Sequence, residues 1–137
     1  MMEFAKSMER IGKLTGADIP PPDEEGCCLW EQDGHRYKTF QRNHKWHWEC
    51  SWGEEMSDTF ENRNLLAQIL QFNLKRMRFL DATLFLNPTD KHLYLRQTIA
   101  PETVDEKNLE ERFNDFLLNV EVMEERFFPK LSEQQSA

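Results

Sequence analysis

The feature that most constrains this chain is the order of elements between residues 65 and 128, which reads as helix, strand, tight turn, strand and helix. Two short apolar runs at 82–86 and 92–98 are joined by the sequence Asn-Pro-Thr-Asp at 87–90, as expected for a β-hairpin. The stretch 109–127 has apolar residues in steps of three and four, which predicts a long amphipathic helix. None of these elements carries a catalytic motif. They predict a scaffold that buries one face and offers another to a partner.

The N-terminal half adds one helix and three strands to this plan. Phe4, Met8 and Ile11 form a narrow apolar stripe in steps of four and three, which predicts a helix over residues 3–15. A glycine at position 16 ends this helix, and the proline-rich segment that follows is predicted to be an extended connector. Strands are predicted at residues 27–31, 35–42 and 45–52.

The third of these strands has the clearest pattern in the chain. Trp46, Trp48, Cys50 and Trp52 alternate with polar residues, which is typical of a strand with two different faces. The tryptophans have two interpretations: they cover the core of the sheet, or one or two of them line a groove for a partner. A loop is predicted to follow at 53–56.

These elements predict an α+β fold class, a small single domain with the order α-β-β-β-α-β-β-α and a twisted antiparallel sheet with helices packed on it. Asp58, with Glu61 three residues later, predicts a capped start for the second helix. The domain is predicted to span residues 1–131, and residues 132–137 to form a polar, flexible tail.

Composition excludes several functional classes. The chain has 137 residues and a formal net charge of −8, whereas affinity for nucleic acid comes from clustered lysine and arginine, so no nucleic-acid partner is expected. No apolar stretch is long enough for a membrane span and no secretory signal is visible, so no membrane insertion is expected. Three cysteines are an odd number, and Cys27 and Cys28 are adjacent, which argues against a disulfide framework and indicates the cytoplasm.

The candidate chemical cluster consists of His44, His47, Cys50 and the Cys27-Cys28 pair. A zinc site needs three or four side chains that converge on one point. Residues three apart on a strand lie on opposite faces, so His44 and His47 diverge, and His47 and Cys50 diverge for the same reason. We therefore predict no metal ligand, no catalytic residue, no cofactor and no enzymatic activity. A small metal- or thiol-dependent enzyme is kept only as a second alternative.

The order of the elements resembles that of the class I chaperones of bacterial type III secretion systems, the CesT/Tir-chaperone-like family, over about residues 3–128. The run LLAQILQFNL at 65–74 is similar to the second helix of that family. The run ATLFLNPTDKHLYLRQTIA at 82–100 is similar to its terminal hairpin, and the apolar stripe at 109–127 to its last helix. The small size and the isoelectric point near 5.0 also fit the family.

The resemblance implies a cytoplasmic homodimer with a role in bacterial virulence. It would bind the N-terminal segment of one or more secreted effector proteins, keep that segment non-globular and soluble, and deliver it to the export apparatus, with the secretion ATPase as a candidate partner. By position, the resemblance implies partner-binding residues at Phe4, Met8, Ile11, Leu84, Leu86, Leu93 and Leu95. It implies a dimer interface that includes Leu66, Ile69, Leu70 and Asn73.

One alternative uses the same apolar surfaces differently. A non-enzymatic adaptor or structural subunit of a larger assembly would bind a folded partner instead of an unfolded segment. The two functions differ in one observable property, because an unfolded segment is sensitive to protease alone and protected in the complex.

Overall fold

The computed structural model describes residues 2–55, 59–76 and 82–127, and within them three α-helices and one five-stranded antiparallel sheet. The helices are α1 (Phe4–Thr15), α2 (Phe60–Arg76) and α3 (Leu109–Phe127), with a 3-10 turn at Pro101–Thr103 ahead of α3. The strands are β1 (Cys28–Gln32), β2 (His35–Arg42), β3 (Lys45–Glu55), β4 (Ala82–Leu86) and β5 (His92–Ile99). The predicted α+β class and the predicted order of elements are confirmed.

The sheet has the strand order β1-β2-β3-β5-β4, so β5 pairs with β3 although α2 and β4 lie between them in sequence. Two-residue turns join the first three strands, and all four turn residues have positive φ: 54° at Asp33, 80° at Gly34, 53° at Asn43 and 63° at His44. Turns of this kind match the right-handed twist of paired strands, which explains why the hairpins close so tightly.

The loop predicted at 53–56 is wrong for its first three residues, because β3 continues to Glu55. The physical reason is that β5 supplies a neighbouring strand: Glu55 lies opposite His92, after a register shift that follows Ser51. A glycine next to two acidic residues is typical of a loop, but the sequence does not reveal that another strand runs alongside.

The second helix begins with a capping hydrogen bond one residue later than predicted. The hydroxyl of Thr59 accepts the backbone N–H of Asn62 at 3.1 Å, which satisfies one of the free donors at the helix start. The predicted cap, Asp58, lies outside the described residues, as does the predicted tail at 132–137.

The hydrophobic core lies between one face of the sheet and helices α1 and α3. Trp46 contacts Phe4 of α1, with ring centroids 6.0 Å apart. Trp48 meets Phe113 of α3 edge-on, with centroids 5.1 Å apart. Both tryptophans are fully buried, so the first of the two interpretations holds for them, whereas Trp52 is half-buried. The apolar stripe of α3 that faces this core consists of Leu109, Phe113, Phe116, Val120 and Met123.

A buried polar contact joins the sheet to α3 within the apolar layer. The amide of Asn119 donates a hydrogen bond to the side-chain oxygen of Gln97 on β5, at 3.2 Å, and both residues are buried. A buried amide without a partner would cost free energy, so this pair favours one register of α3 on the sheet.

Candidate binding surfaces

The predicted partner-binding stripe on α1 faces the sheet. Phe4, Met8 and Ile11 are buried within the chain. The sulfur of Met8 accepts a hydrogen bond from the hydroxyl of Thr39 on β2 at 3.4 Å, and Phe4 lies against Trp46. These three side chains therefore have no free surface for a partner in this state of the chain.

The predicted partner-binding residues of the β4–β5 hairpin differ in exposure. Leu84, Leu93 and Leu95 are buried in the same core, on the face of the sheet that carries Trp48. Leu86, at the end of β4, is 36% exposed. Of the seven residues that the resemblance implied, Leu86 is thus the one that a partner reaches without any rearrangement.

The predicted dimer-interface residues lie along α2, on different sides of it. Ile69 is buried in the core of its own subunit and Leu66 is half-buried. Leu70 is 62% exposed, which leaves most of an aliphatic side chain in water. The side chain of Asn73 lies outside the described residues. The sequence periodicity places these residues on a helix correctly, but it does not separate core positions from surface positions.

Among the residues that the structure describes, four exposed apolar side chains were not predicted as contact residues. Leu118 and Val122 are four residues apart on the outer side of α3, where side chains at this spacing are neighbours. The sequence could have revealed their exposure, because they do not belong to the apolar stripe of α3 that faces the core. That stripe lies at 109, 113, 116, 120 and 123. The other two are Leu29 on β1 and Phe60 at the start of α2.

A cleft of about 390 Å³ runs along the exposed side of α1. Met2 is its one apolar lining residue, and charges of both signs make up the rest of the lining: Glu3, Lys6, Glu9, Arg10, Lys13 and Glu106. Lys13 and Glu9 form an exposed ion pair at 3.3 Å, one helical turn apart. An apolar anchor would bury little surface here, so this cleft has the character of a solvated helix face.

The three cysteines are free thiols, and their surroundings disfavour the reactive thiolate form. Burial raises the pKa of Cys28 and that of Cys50, so neither is a thiolate at neutral pH. Burial also raises the pKa of the neighbouring Tyr37 hydroxyl. Within the described ranges, no group of three or more histidine, cysteine, aspartate or glutamate side chains is arranged to hold a metal ion.

His47 lies on the opposite face of the sheet from Cys50. Its ring stacks on Phe40 with centroids 5.0 Å apart, and its Nδ1 is 3.2 Å from the hydroxyl of Thr98. Partial burial, and then the nearby charge of Arg96, lowers the pKa of His47 below 6.5.

The helices that the structure describes include none that is both long and apolar enough to span a bilayer.

Comparison with known proteins identifies the family. The model of the Tir chaperone protein (CesT) family matches residues 7–123 of this chain. A chain in the crystal structure of the ExsC–ExsE complex has the same fold, with a TM-score of 0.70 and 16% identity over 92% of this chain and 97% of that one. A chain in the HopA1–SchA chaperone–effector complex gives a TM-score of 0.60 and 14% identity over 82% and 85%. No curated protein sequence matches with significance.

At 14–16% identity the solved structures support the fold alone, and the family model carries the assignment. That model covers most of α1, the whole sheet and most of α3, which is well over half of the chain. The resemblance deduced from the order of elements is confirmed: the chain belongs to the Tir chaperone protein (CesT) family.

Proposed function

We propose that the protein is a type III secretion chaperone that binds the N-terminal segment of one or more effector proteins. It keeps this segment non-globular and soluble in the bacterial cytoplasm and delivers it to the export apparatus, where the secretion ATPase is a further partner. The observation that carries the proposal is the family match over residues 7–123, and the fold shared with a chain of a chaperone–effector complex supports it. The family is one of binding proteins, and the proposed activity makes and breaks no covalent bond.

Client binding uses the apolar side chain that remains exposed at the end of β4. Leu86 on β4 contacts the client directly. The buried residues of the predicted set contribute indirectly, because they fix the position of α1 and of the β4–β5 hairpin. An unfolded segment gains affinity by burying a few apolar anchors along a long path, from which the cost of ordering the segment is subtracted.

The edge strand β1 provides a second mode of contact. Among the described parts of the chain, β1 pairs with β2 on one side only, so its other side presents backbone donors and acceptors to an extended segment. Leu29, in the middle of β1, is 53% exposed and offers an apolar contact to the same segment. Adding a strand at an edge suits a client that has no tertiary structure of its own.

Homodimer formation uses α2. Leu70 projects from this helix into solvent, and Phe60 at the helix start is more exposed still. Two apolar side chains on one helix are covered when a second copy packs against it about a two-fold axis. Leu66 and Ile69 support the interface from the core side of the helix, and Asn73 completes the set that the resemblance implied.

The experiment that tests the function is co-purification of the tagged protein from its native host, with bound proteins identified by mass spectrometry. The expected client is a secreted effector, whose N-terminal segment is cut by protease when free and protected in the complex. A bound partner that is fully folded and equally resistant in both states would contradict the proposal and favour the adaptor alternative.

A matched pair of variants tests the client surface. Leu86→Glu is expected to weaken client co-purification strongly and to lower the melting temperature only moderately, because the side chain is 36% exposed at the end of its strand. Leu118→Glu, on the far side of α3, introduces the same charge at an exposed leucine and serves as the control. Equal loss of client in both variants would show that the added charge, and not the position, is responsible.

A further inference from the structure

The face of the sheet opposite the core carries an unusual concentration of cations for so acidic a chain. Side chains alternate between faces along a strand, and the strand register places one set of residues together on this outer face. We call this set the basic face. It consists of Arg36, Lys38, Phe40 and Arg42 of β2, Lys45, His47 and Glu49 of β3, and Arg96 of β5.

Phe40 is the centre of the basic face. The Nζ atom of Lys38 and the Cζ atom of Arg42 each lie 5.3 Å from the centroid of its ring. The Cζ atom of Arg96 lies 5.8 Å from the same centroid. Together with the stacked ring of His47, these side chains bury Phe40 although no core residue covers it. The phenylalanine thus gathers three positive charges around one point.

Part of this charge is neutralised and part is not. The Nε atom of Arg96 donates to the buried carboxylate of Glu49 at 2.6 Å, and Arg36 pairs with Glu31 of β1 at 3.4 Å. In contrast, within the residues that the structure describes, the remaining three cations form no ion pair and are all exposed. They are Lys38, Arg42 and Lys45.

Two of these three cations are placed so that they oppose folding. Arg42 and Lys45 lie directly opposite each other at the end of the β2–β3 hairpin, and like charges in this position repel. Burial lowers the pKa of His47, and the charges of Arg96 and Arg42 lower it further, while the carboxylate of Glu49 acts in the opposite direction. The repulsion between Arg42 and Lys45 costs stability, and binding of a negatively charged partner would account for its presence.

We propose that the basic face binds an extended acidic segment of a partner protein, whose carboxylates pair with Lys38, Arg42 and Lys45. Charge complementarity carries the proposal. The chain as a whole has a net charge of −8 and repels acidic partners, so an acidic segment is drawn to this face and held in one orientation on it. The proposal stands independently of the secretion function.

The spacing of the cations suits an extended polypeptide. Lys38 and Arg42 are four residues apart on one strand, which is a distance of about 13 Å, and this matches acidic residues four apart on an extended segment. Lys45 lies directly opposite Arg42 on the neighbouring strand, with Cβ atoms about 5 Å apart, and it provides a second row of positive charge. A nucleic acid carries phosphate along its whole length and is repelled by the rest of this acidic chain, so a protein segment is the better fit.

The test measures binding of a fluorescein-labelled synthetic peptide of twelve residues, in which glutamate alternates with serine, by fluorescence anisotropy at low salt. The basic-face variant is Lys38→Gln, Arg42→Gln and Lys45→Gln together. The control variant is Lys6→Gln, Arg10→Gln and Lys13→Gln together, which removes three exposed cations from α1 and changes the net charge equally. Circular dichroism melts confirm that both variants remain folded.

The wild-type protein and the control variant are expected to bind the peptide, and the basic-face variant about tenfold more weakly, as loss of three exposed ion pairs implies. Binding is also expected to weaken as salt is added. Equal weakening in both variants would overturn the proposal, because only the net charge would then matter. Equal binding of a peptide with glutamine in place of glutamate would overturn it too. So would binding of a twelve-nucleotide oligothymidylate without binding of the acidic peptide.

Discussion

At the scale of single residues, burial decides the chemistry of the cysteines. Cys28 and Cys50 have no exposed surface, while Cys27, next in sequence to Cys28, is half-buried. Since Cys27 sits just ahead of β1 and Cys28 on its core face, two neighbouring thiols have different accessibility. Burial raises the pKa of both thiols, so both stay protonated and weakly nucleophilic at neutral pH.

We therefore expect the three thiols to react with Ellman's reagent in sequence. One equivalent, from Cys27, reacts slowly in the folded protein, and the other two react only when urea unfolds the chain. Following the reaction by absorbance with and without urea measures this order. Cys27→Ser should remove the first phase, and a first phase that persists in this variant would contradict the assignment.

The titration of His47 makes the stability of the protein depend on pH. Burial, and then Arg96, holds the pKa of His47 below 6.5, the usual value that the unfolded chain retains. Between these two values the unfolded state binds more protons, so the free energy of unfolding falls as pH drops below about 6.5. Above that pH, His47 is neutral in both states and the full stability is present.

The expected result is an NMR titration midpoint below 6.5 for the ring protons of His47. Urea unfolding at pH 7.5 and 5.5 should also show a smaller loss of stability in His47→Gln than in the wild type, because glutamine does not titrate. A midpoint at or above 6.5, or an identical loss in the two proteins, would count against this account.

At the scale of elements, the periodicity of the sequence predicts helices and strands well and their burial less well. The alternation of Trp46, Trp48 and Cys50 identifies β3, and the Asp33-Gly34 pair identifies the turn before β2. The stripe on α1 predicts a helix with an apolar side, but the same stripe suits a core position and a client groove equally. A pattern along one element does not say which other element covers it.

The neighbours of a residue across the sheet are equally hidden in the sequence. Phe40 and Glu49 are buried on the outer face because Arg96, Lys38 and Arg42 lie over or beside them, and those contacts join three strands. The strand order, with β5 beside β3, creates these contacts, and it does not follow from local patterns. The basic face was therefore not predictable before the topology was known.

The packing of α1 predicts a large effect for a small change. Ile11→Ala removes a fully buried side chain and should lower the free energy of unfolding by about 2–5 kcal/mol. Leu14→Ala, at a half-buried position on the same helix, should cost clearly less. Urea denaturation of both variants measures the difference, and equal costs would mean that α1 is not held on the sheet through Ile11.

The end of the β2–β3 hairpin predicts a gain in stability. Lys45→Glu replaces the repulsion opposite Arg42 by attraction, which should raise the free energy of unfolding by roughly 0.2–1 kcal/mol at low salt. Lys45→Gln should fall between this variant and the wild type. Urea unfolding decides the outcome, and a Lys45→Glu variant less stable than the wild type would show that the cations do not repel each other there.

At the scale of the whole molecule, exposed apolar surface on α2 predicts association. Light scattering of the purified protein is expected to give twice the chain mass of 16.4 kDa. Leu70→Glu should shift the mass to that of a single chain, because the charge would be buried in the interface. Phe60→Glu serves as a second substitution on the same helix. A wild-type protein that remains a monomer at high concentration would exclude the proposed interface.

The late position of α3 in the chain has a consequence for synthesis. The β1–β2–β3 meander is complete by residue 55, yet the helix that covers Trp48 begins only at Leu109. While the ribosome translates residues 56–108, only α1 is available to cover the aromatic side of the meander, and Trp48 lacks its contact with α3. Nascent chains with such exposed apolar surfaces are prone to aggregate. During synthesis, this proposed secretion chaperone is therefore expected to need protection from aggregation, as its proposed clients do before export.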